Sequence, residues 1–83
     1  MQFVNKKEAA NFFNSYTGKG SVMFRSLMTI QNSQYPVDKE TLNMETGSND
    51  SIRHVHKFEE ISGMKLNRTT VKVNGRKTTA YSF

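Results

Sequence analysis

Asn74-Gly75 is the feature that most constrains this chain, because it dictates a reversal and, with it, a pairing register for the strands on either side. A two-residue loop of type I′ needs positive φ at both central positions, and Asn followed by Gly adopts that conformation most readily. Thr69, Thr70, Val71 and Val73 before the pair, and Thr78, Thr79, Tyr81 and Phe83 after it, are strand formers. Residues 64–83 therefore read as a β-hairpin. Counting outward from the loop, Val73 faces Arg76, Lys72 faces Lys77, Val71 faces Thr78, Thr70 faces Thr79 and Arg68 faces Tyr81, with Leu66 meeting Phe83. One face is thus apolar at its base and positive at its tip.

Charge is distributed just as unevenly. Lys65, Arg68, Lys72, Arg76 and Lys77 lie in this hairpin with no acid among them, and five such residues equal the formal net charge of +5. Residues 1–63 hold seven basic and seven acidic side chains, which cancel. An isoelectric point near 9.8 favours an anionic partner: nucleic acid, a membrane surface or an acidic protein. Like charges directly opposite on a hairpin cost a few tenths to about 1 kcal/mol unless an anion is near. A phosphate backbone would relieve the Lys72–Lys77 pair. The structural alternative is that both lysines guard an exposed edge against aggregation.

Eighty-three residues suit one small domain spanning 1–83. There is no cysteine, so no disulfide framework is available. No apolar run reaches the roughly 20 residues of a membrane span, and Met1-Gln2-Phe3-Val4-Asn5 does not resemble a signal peptide. The expectation is a soluble cytoplasmic protein without membrane association.

Upstream of the hairpin the periodicity is helical. Asn5 and Glu8 have the form of a capping box, and Ala9, Phe12, Phe13 and Tyr16 share one face, predicting a helix over residues 6–15. Gly18-Lys19-Gly20 lacks the frame of a phosphate loop and reads as a turn. Ser21 can cap a second helix from 22 to about 31, where Met23, Phe24, Leu27, Met28 and Ile30 predict a central position in the core. Tyr35-Pro36-Val37 is extended, and Asp38 caps a brief helix from 39 to about 43 or 44 with Leu42 and Met44 inward, before Gly47. The last helix starts near Ser48 or Asn49 as cap and ends at Gly63, with Ile52, Val55, Phe58 and Ile61 inward. Asn49, Ser51, Arg53, His54, His56 and Lys57 are expected on its outer side, with Glu59 and Glu60 further along.

Ser51-Ile52-Arg53-His54-Val55, then Ser62-Gly63-Met64-Lys65-Leu66, then Thr70-Val71-Lys72-Val73-Asn74-Gly75-Arg76-Lys77 and Ala80-Tyr81, resembles the recognition helix and wing of small bacteriophage helix-turn-helix proteins. The likeness covers about residues 48–83, and before that it rests on element order. It implies an α+β winged helix-turn-helix fold of three to four short helices followed by a wing, with residues 1–20 a helical addition. It also implies double-stranded DNA as partner, a regulatory role, and the host cytoplasm as location.

On that reading Arg53 could fork onto guanine O6 and N7, Asn49 could pair with adenine, and Ser51, His54 or Lys57 could reach bases or phosphates. Arg68, Lys72, Arg76 and Lys77 would meet the backbone or minor groove. His54 and His56 diverge by about 200° on a helix, so no metal site is expected. Nor is a cofactor or catalytic constellation, and a binding module is favoured over an enzyme. The rival is an adaptor or inhibitor docking on a host protein through surplus apolar residues among Phe3, Val4, Phe12, Phe13 and Tyr16. RNA as the ligand and homodimerisation through the first helix stay open.

Overall fold

In the computed structural model, which describes residues 5–83, four helices precede a three-stranded antiparallel sheet. The first helix, α1 (Lys6–Asn14), begins where the Asn5 side chain accepts from the Glu8 amide at 2.9 Å. Ala9 and Phe13 are buried beneath it. Its aromatic face docks edge-on against α4: Phe13 and Tyr16 lie 5.7 and 5.4 Å from the Phe58 ring centroid. Edge-to-face pairs of this kind add about 0.5–1.5 kcal/mol each to the area they bury.

The central element is α2 (Val22–Asn32), which packs against α1, α3 and α4. Ser21 caps it by accepting from the Phe24 amide at 3.0 Å, and Met23, Leu27 and Ile30 are buried. Its polar side is tied down as well. Arg25 Nη1 donates to the Thr46 carbonyl at 2.6 Å, a cation at the C-terminal end of α3 where orphan carbonyls gather.

Tyr35 and Pro36 lead into a two-residue strand, β1 (Val37–Asp38), which pairs with the last strand as Val37↔Tyr81 and Asp38↔Ala80. The sheet therefore has three strands, one more than the expected hairpin. Asp38 then caps α3 (Lys39–Thr46), its carboxylate accepting from the amides of Glu40 and Thr41 and from the Thr41 hydroxyl. Leu42 is buried, and so is Thr46, whose hydroxyl donates to the Leu42 carbonyl at 2.8 Å. This extends the helix beyond Met44. Met44 itself is 76% exposed, not inward, because two residues of helix turn it about 200° from Leu42. Gly47 closes the helix at φ +70°.

The last helix, α4 (Ser51–Ser62), starts without the expected side-chain cap from Ser48 or Asn49. Asp50 occupies the cap position, the Ser48 hydroxyl donates to its carboxylate, and Asn43 on α3 accepts from the Ser51 amide at 3.2 Å. Val55 and Phe58 are buried as expected, but Ile52 is only partly buried and Ile61 is exposed. The reason is phase. Steps of three residues on a helix of 3.6 per turn walk backward by about 60° each, so 52, 55, 58 and 61 span half the circumference. The true inward arc is Ser51, Val55, Phe58 and Glu59, and the expectation that Ser51 and Glu59 face outward is corrected.

Strands β2 (Asn67–Val73) and β3 (Arg76–Ser82) flank Asn74 at φ +52° and Gly75 at φ +80°, both positive as type I′ requires. Each strand pairing predicted from Val73↔Arg76 to Arg68↔Tyr81 is present, and the ladder ends at Asn67↔Ser82. Leu66 is buried and Phe83 partly buried just beyond it, Phe83 lying 5.4 Å from the Phe13 ring. The core lies among α1, α2, α4 and this base. Phe3 and Val4 fall outside the described residues.

Candidate nucleic-acid interface

The outward arc of α4 carries Arg53 and Lys57 one turn apart, with His56 and Glu60 alongside, while Asn49 is exposed in the turn that precedes the helix. Arg53 is held by Asp50, Nη2 to Oδ2 at 2.6 Å, and the same carboxylate lies 3.7 Å from His54 Nε2. The Ser48 hydroxyl first, then the charges of Arg53 and His54, keep the Asp50 carboxyl below its usual range. Solvent screens an exposed pair of this kind, so Arg53 is oriented by Asp50 yet readily released from it. Lys57 approaches Glu60 at 3.9 Å, another exposed pair.

Ser51 leaves the set of surface candidates. It is fully buried, its hydroxyl 2.7 Å from that of Thr46 in the α3–α4 turn. Its role there is to pack one helix on the next. His54, partly exposed, sits on the flank shared with Asp50.

On the hairpin, cross-strand partners share a face. Arg68/Tyr81, Thr70/Thr79 and Lys72/Lys77 make one face, and Val71/Thr78 and Val73/Arg76 the other. The first continues outward from α4, since His56 lies 6.2 Å from the Tyr81 ring and Arg68 meets Glu59. Lys72 and Lys77 stand exposed at its tip. Arg76 points from the other face, its guanidinium 4.0 Å from Glu40 on α3. The wing's cations are therefore divided between its two faces, Lys72 and Lys77 on one and Arg76 on the other.

Arg68 is committed inward. Its Nη1 and Nη2 donate to Glu59 at 3.0 and 2.6 Å, and its guanidinium carbon lies 5.0 Å from the Tyr81 centroid. The Arg68 hydrogen bonds first, then the Leu66 amide and the Arg68 charge, hold the Glu59 carboxyl below the usual glutamate range despite its burial. Glu59 in turn raises Arg68. Sequence reasoning passed over Glu59 and gave His56 no contact. The available signal was the Ser51–Val55–Phe58–Ser62 phase of α4, which puts position 59 beside the strand carrying Arg68.

Arg53 and Lys57 thus share the outer face of α4, with Asn49 exposed in the turn before it, Lys72 and Lys77 form a second cationic group on the hairpin, and Ser51, Arg68 and Arg76 lie apart from both. Among the described residues no group of three or more His, Asp or Glu side chains could hold a metal ion, and no helix is long and apolar enough to cross a membrane. Of the apolar residues weighed for docking, Phe13 is buried and Phe12 packs against the core, while Tyr16 stays partly exposed. Comparison with protein-family models, curated proteins and solved structures finds no match to the chain.

Proposed function

We propose that this chain is a winged helix-turn-helix protein that binds double-stranded DNA, acting as a small transcriptional regulator. In this reading α4 enters the major groove and the hairpin lies on the backbone or in the minor groove. The order α2, β1, α3, α4, β2, β3 with sheet order β1-β3-β2 supports it, as does the resemblance of residues 48–83 to phage proteins of that kind. One observation carries most weight. Lys72 and Lys77 are opposed across the hairpin tip, and among the described residues neither is engaged in an ion pair. Phosphates would convert this like-charge repulsion into binding energy.

Within this reading Arg53, released from Asp50, forks onto guanine, and Asn49 offers its amide to adenine. Lys57 and His54 flank them, and Lys72 and Lys77 meet phosphates, with a smaller share for Arg76 on the hairpin's other face. The test is a titration of random-sequence duplex DNA over a range of salt concentrations. Binding whose log affinity falls with log salt at about 0.9 per phosphate contact is expected. No binding at low salt would sink the proposal.

A second reading, docking on a host protein, has its own observation in favour. An open groove of about 520 Å³ between α2 and α3 is floored by Phe24, Met28 and Val37. Under that reading the same titration gives no DNA binding, and substitution in the groove, such as Met28→Glu, removes the partner.

A further inference from the structure

One polar joint ties α4 to the start of the hairpin. Glu59, 3% exposed, turns both carboxylate oxygens toward the start of β2. Its Oε2 accepts from the Leu66 amide at 2.8 Å and from Arg68 Nη1 at 3.0 Å, and its Oε1 accepts from Arg68 Nη2 at 2.6 Å. Arg68 Nη1 also donates to the Leu66 carbonyl at 3.2 Å, so side chains and backbone close a ring where the chain enters β2. The guanidinium lies over Tyr81 on β3, and His56, three residues before Glu59, reaches the same ring. Three elements meet there. Beyond it, Thr70, Lys72, Lys77 and Thr79 are all exposed.

We infer that Glu59 and Arg68 are positioning residues whose ion pair fixes the hairpin's angle to α4, and hence the spacing between Arg53 and the Lys72–Lys77 tip. This rests on the DNA-binding reading and assigns Arg68 to the joint instead of to a phosphate. A bidentate arginine–carboxylate pair specifies direction as well as attraction. Glu59 is buried while the Arg68 side chain is 39% exposed, so solvent screens part of the attraction and geometry is the more economical account of the pair.

Glu59→Gln tests the sign. It removes a negative charge from a cationic protein, so electrostatics alone gives unchanged or tighter DNA binding. Loss of the joint gives the opposite: binding to random duplex weaker by about tenfold, and a salt slope smaller by up to about two units, the share of Lys72 and Lys77. Arg68→Met keeps an apolar stem over Tyr81 and should match that loss, with the double variant no worse than either alone. Arg68→Lys, retaining one charged bond, should recover part of it. If Glu59→Gln does not fold, the couplings of free Arg68→Met carry the comparison, because losing that cation weakens DNA binding by itself.

In the free protein, residual dipolar couplings of the Lys72 and Lys77 amides against those of α4 report the angle without any DNA. In Arg68→Met they should shrink while the cross-strand contact between Lys72 and Lys77 persists. Unchanged couplings, additive losses, or tighter binding by Glu59→Gln would overturn the inference. Shrunken couplings in a protein that binds no DNA would overturn the DNA reading and leave the joint's structural part standing.

Discussion

Thr46 donates its hydroxyl proton to the Leu42 carbonyl and so must accept from Ser51, across a 2.7 Å contact buried in the α3–α4 turn. The two hydroxyls are therefore not equivalent. Ser51→Ala leaves Thr46 still bonded to Leu42 and should cost about 1 kcal/mol. Thr46→Val strands a buried Ser51 hydroxyl and should cost about 1–3 kcal/mol. Adding Ser51→Ala to Thr46→Val should then restore stability in urea unfolding. A double variant that loses the sum of both would show that the pair is not the asymmetric bond described.

The opposed lysines should make stability and binding move in opposite directions. Lys72→Ala or Lys77→Ala removes a like-charge contact, raising stability by a few tenths to about 1 kcal/mol. Each should weaken binding on every DNA sequence and reduce the salt slope by about one unit. Arg76→Ala, on the other face beside Glu40, should change the slope less. Parallel urea melts and salt titrations measure both quantities, and equal slopes for all three variants would remove the division of the wing into two faces.

Much of this was legible in the sequence because it depends on neighbours. Asn74-Gly75 sets its own φ angles, and once the loop is two residues long the pairing of Lys72 with Lys77 follows by counting. Asn5, Ser21 and Asp38 cap helices within four residues of themselves. What was not legible depends on distance or on helical phase. The strand Val37–Asp38 is too short to show a period and exists because β3 offers an edge. Asn43 caps α4 from another helix. Ile61 looks like core by composition and Glu59 like surface, yet the phase of α4 reverses them, and Arg68 goes with Glu59.

Arg53 should behave as a reader of bases and not as a general cation. Arg53→Ala is expected to cost about 1–3 kcal/mol on the preferred site and much less on random duplex. Asp50→Asn, which loosens the 2.6 Å restraint on Arg53, should improve affinity for both while lowering the ratio between them. Competition titrations with specific and random duplex check this. Equal losses on every sequence for Arg53→Ala would make it a backbone contact.

Acid should weaken the fold through the same joint that aims the hairpin. Folded Glu59 is held below the ordinary glutamate range, chiefly by Arg68, so the unfolded chain takes up this proton first as pH falls. Between the unfolded value, about 4.3, and the lower folded one, the unfolded state binds more protons, and stability declines as pH drops. The contribution is complete above about pH 5 and lost below the folded value. Asp38, where the Thr41 hydroxyl and amide outweigh the upward push of burial, adds to the same limb. Urea midpoints should be level from about pH 7 to 5 and fall below that. Glu59→Gln should start lower and fall less steeply, since it carries no proton to bind at this site. A variant with the wild-type steepness would place the acid sensitivity in Asp38 and the other carboxylates.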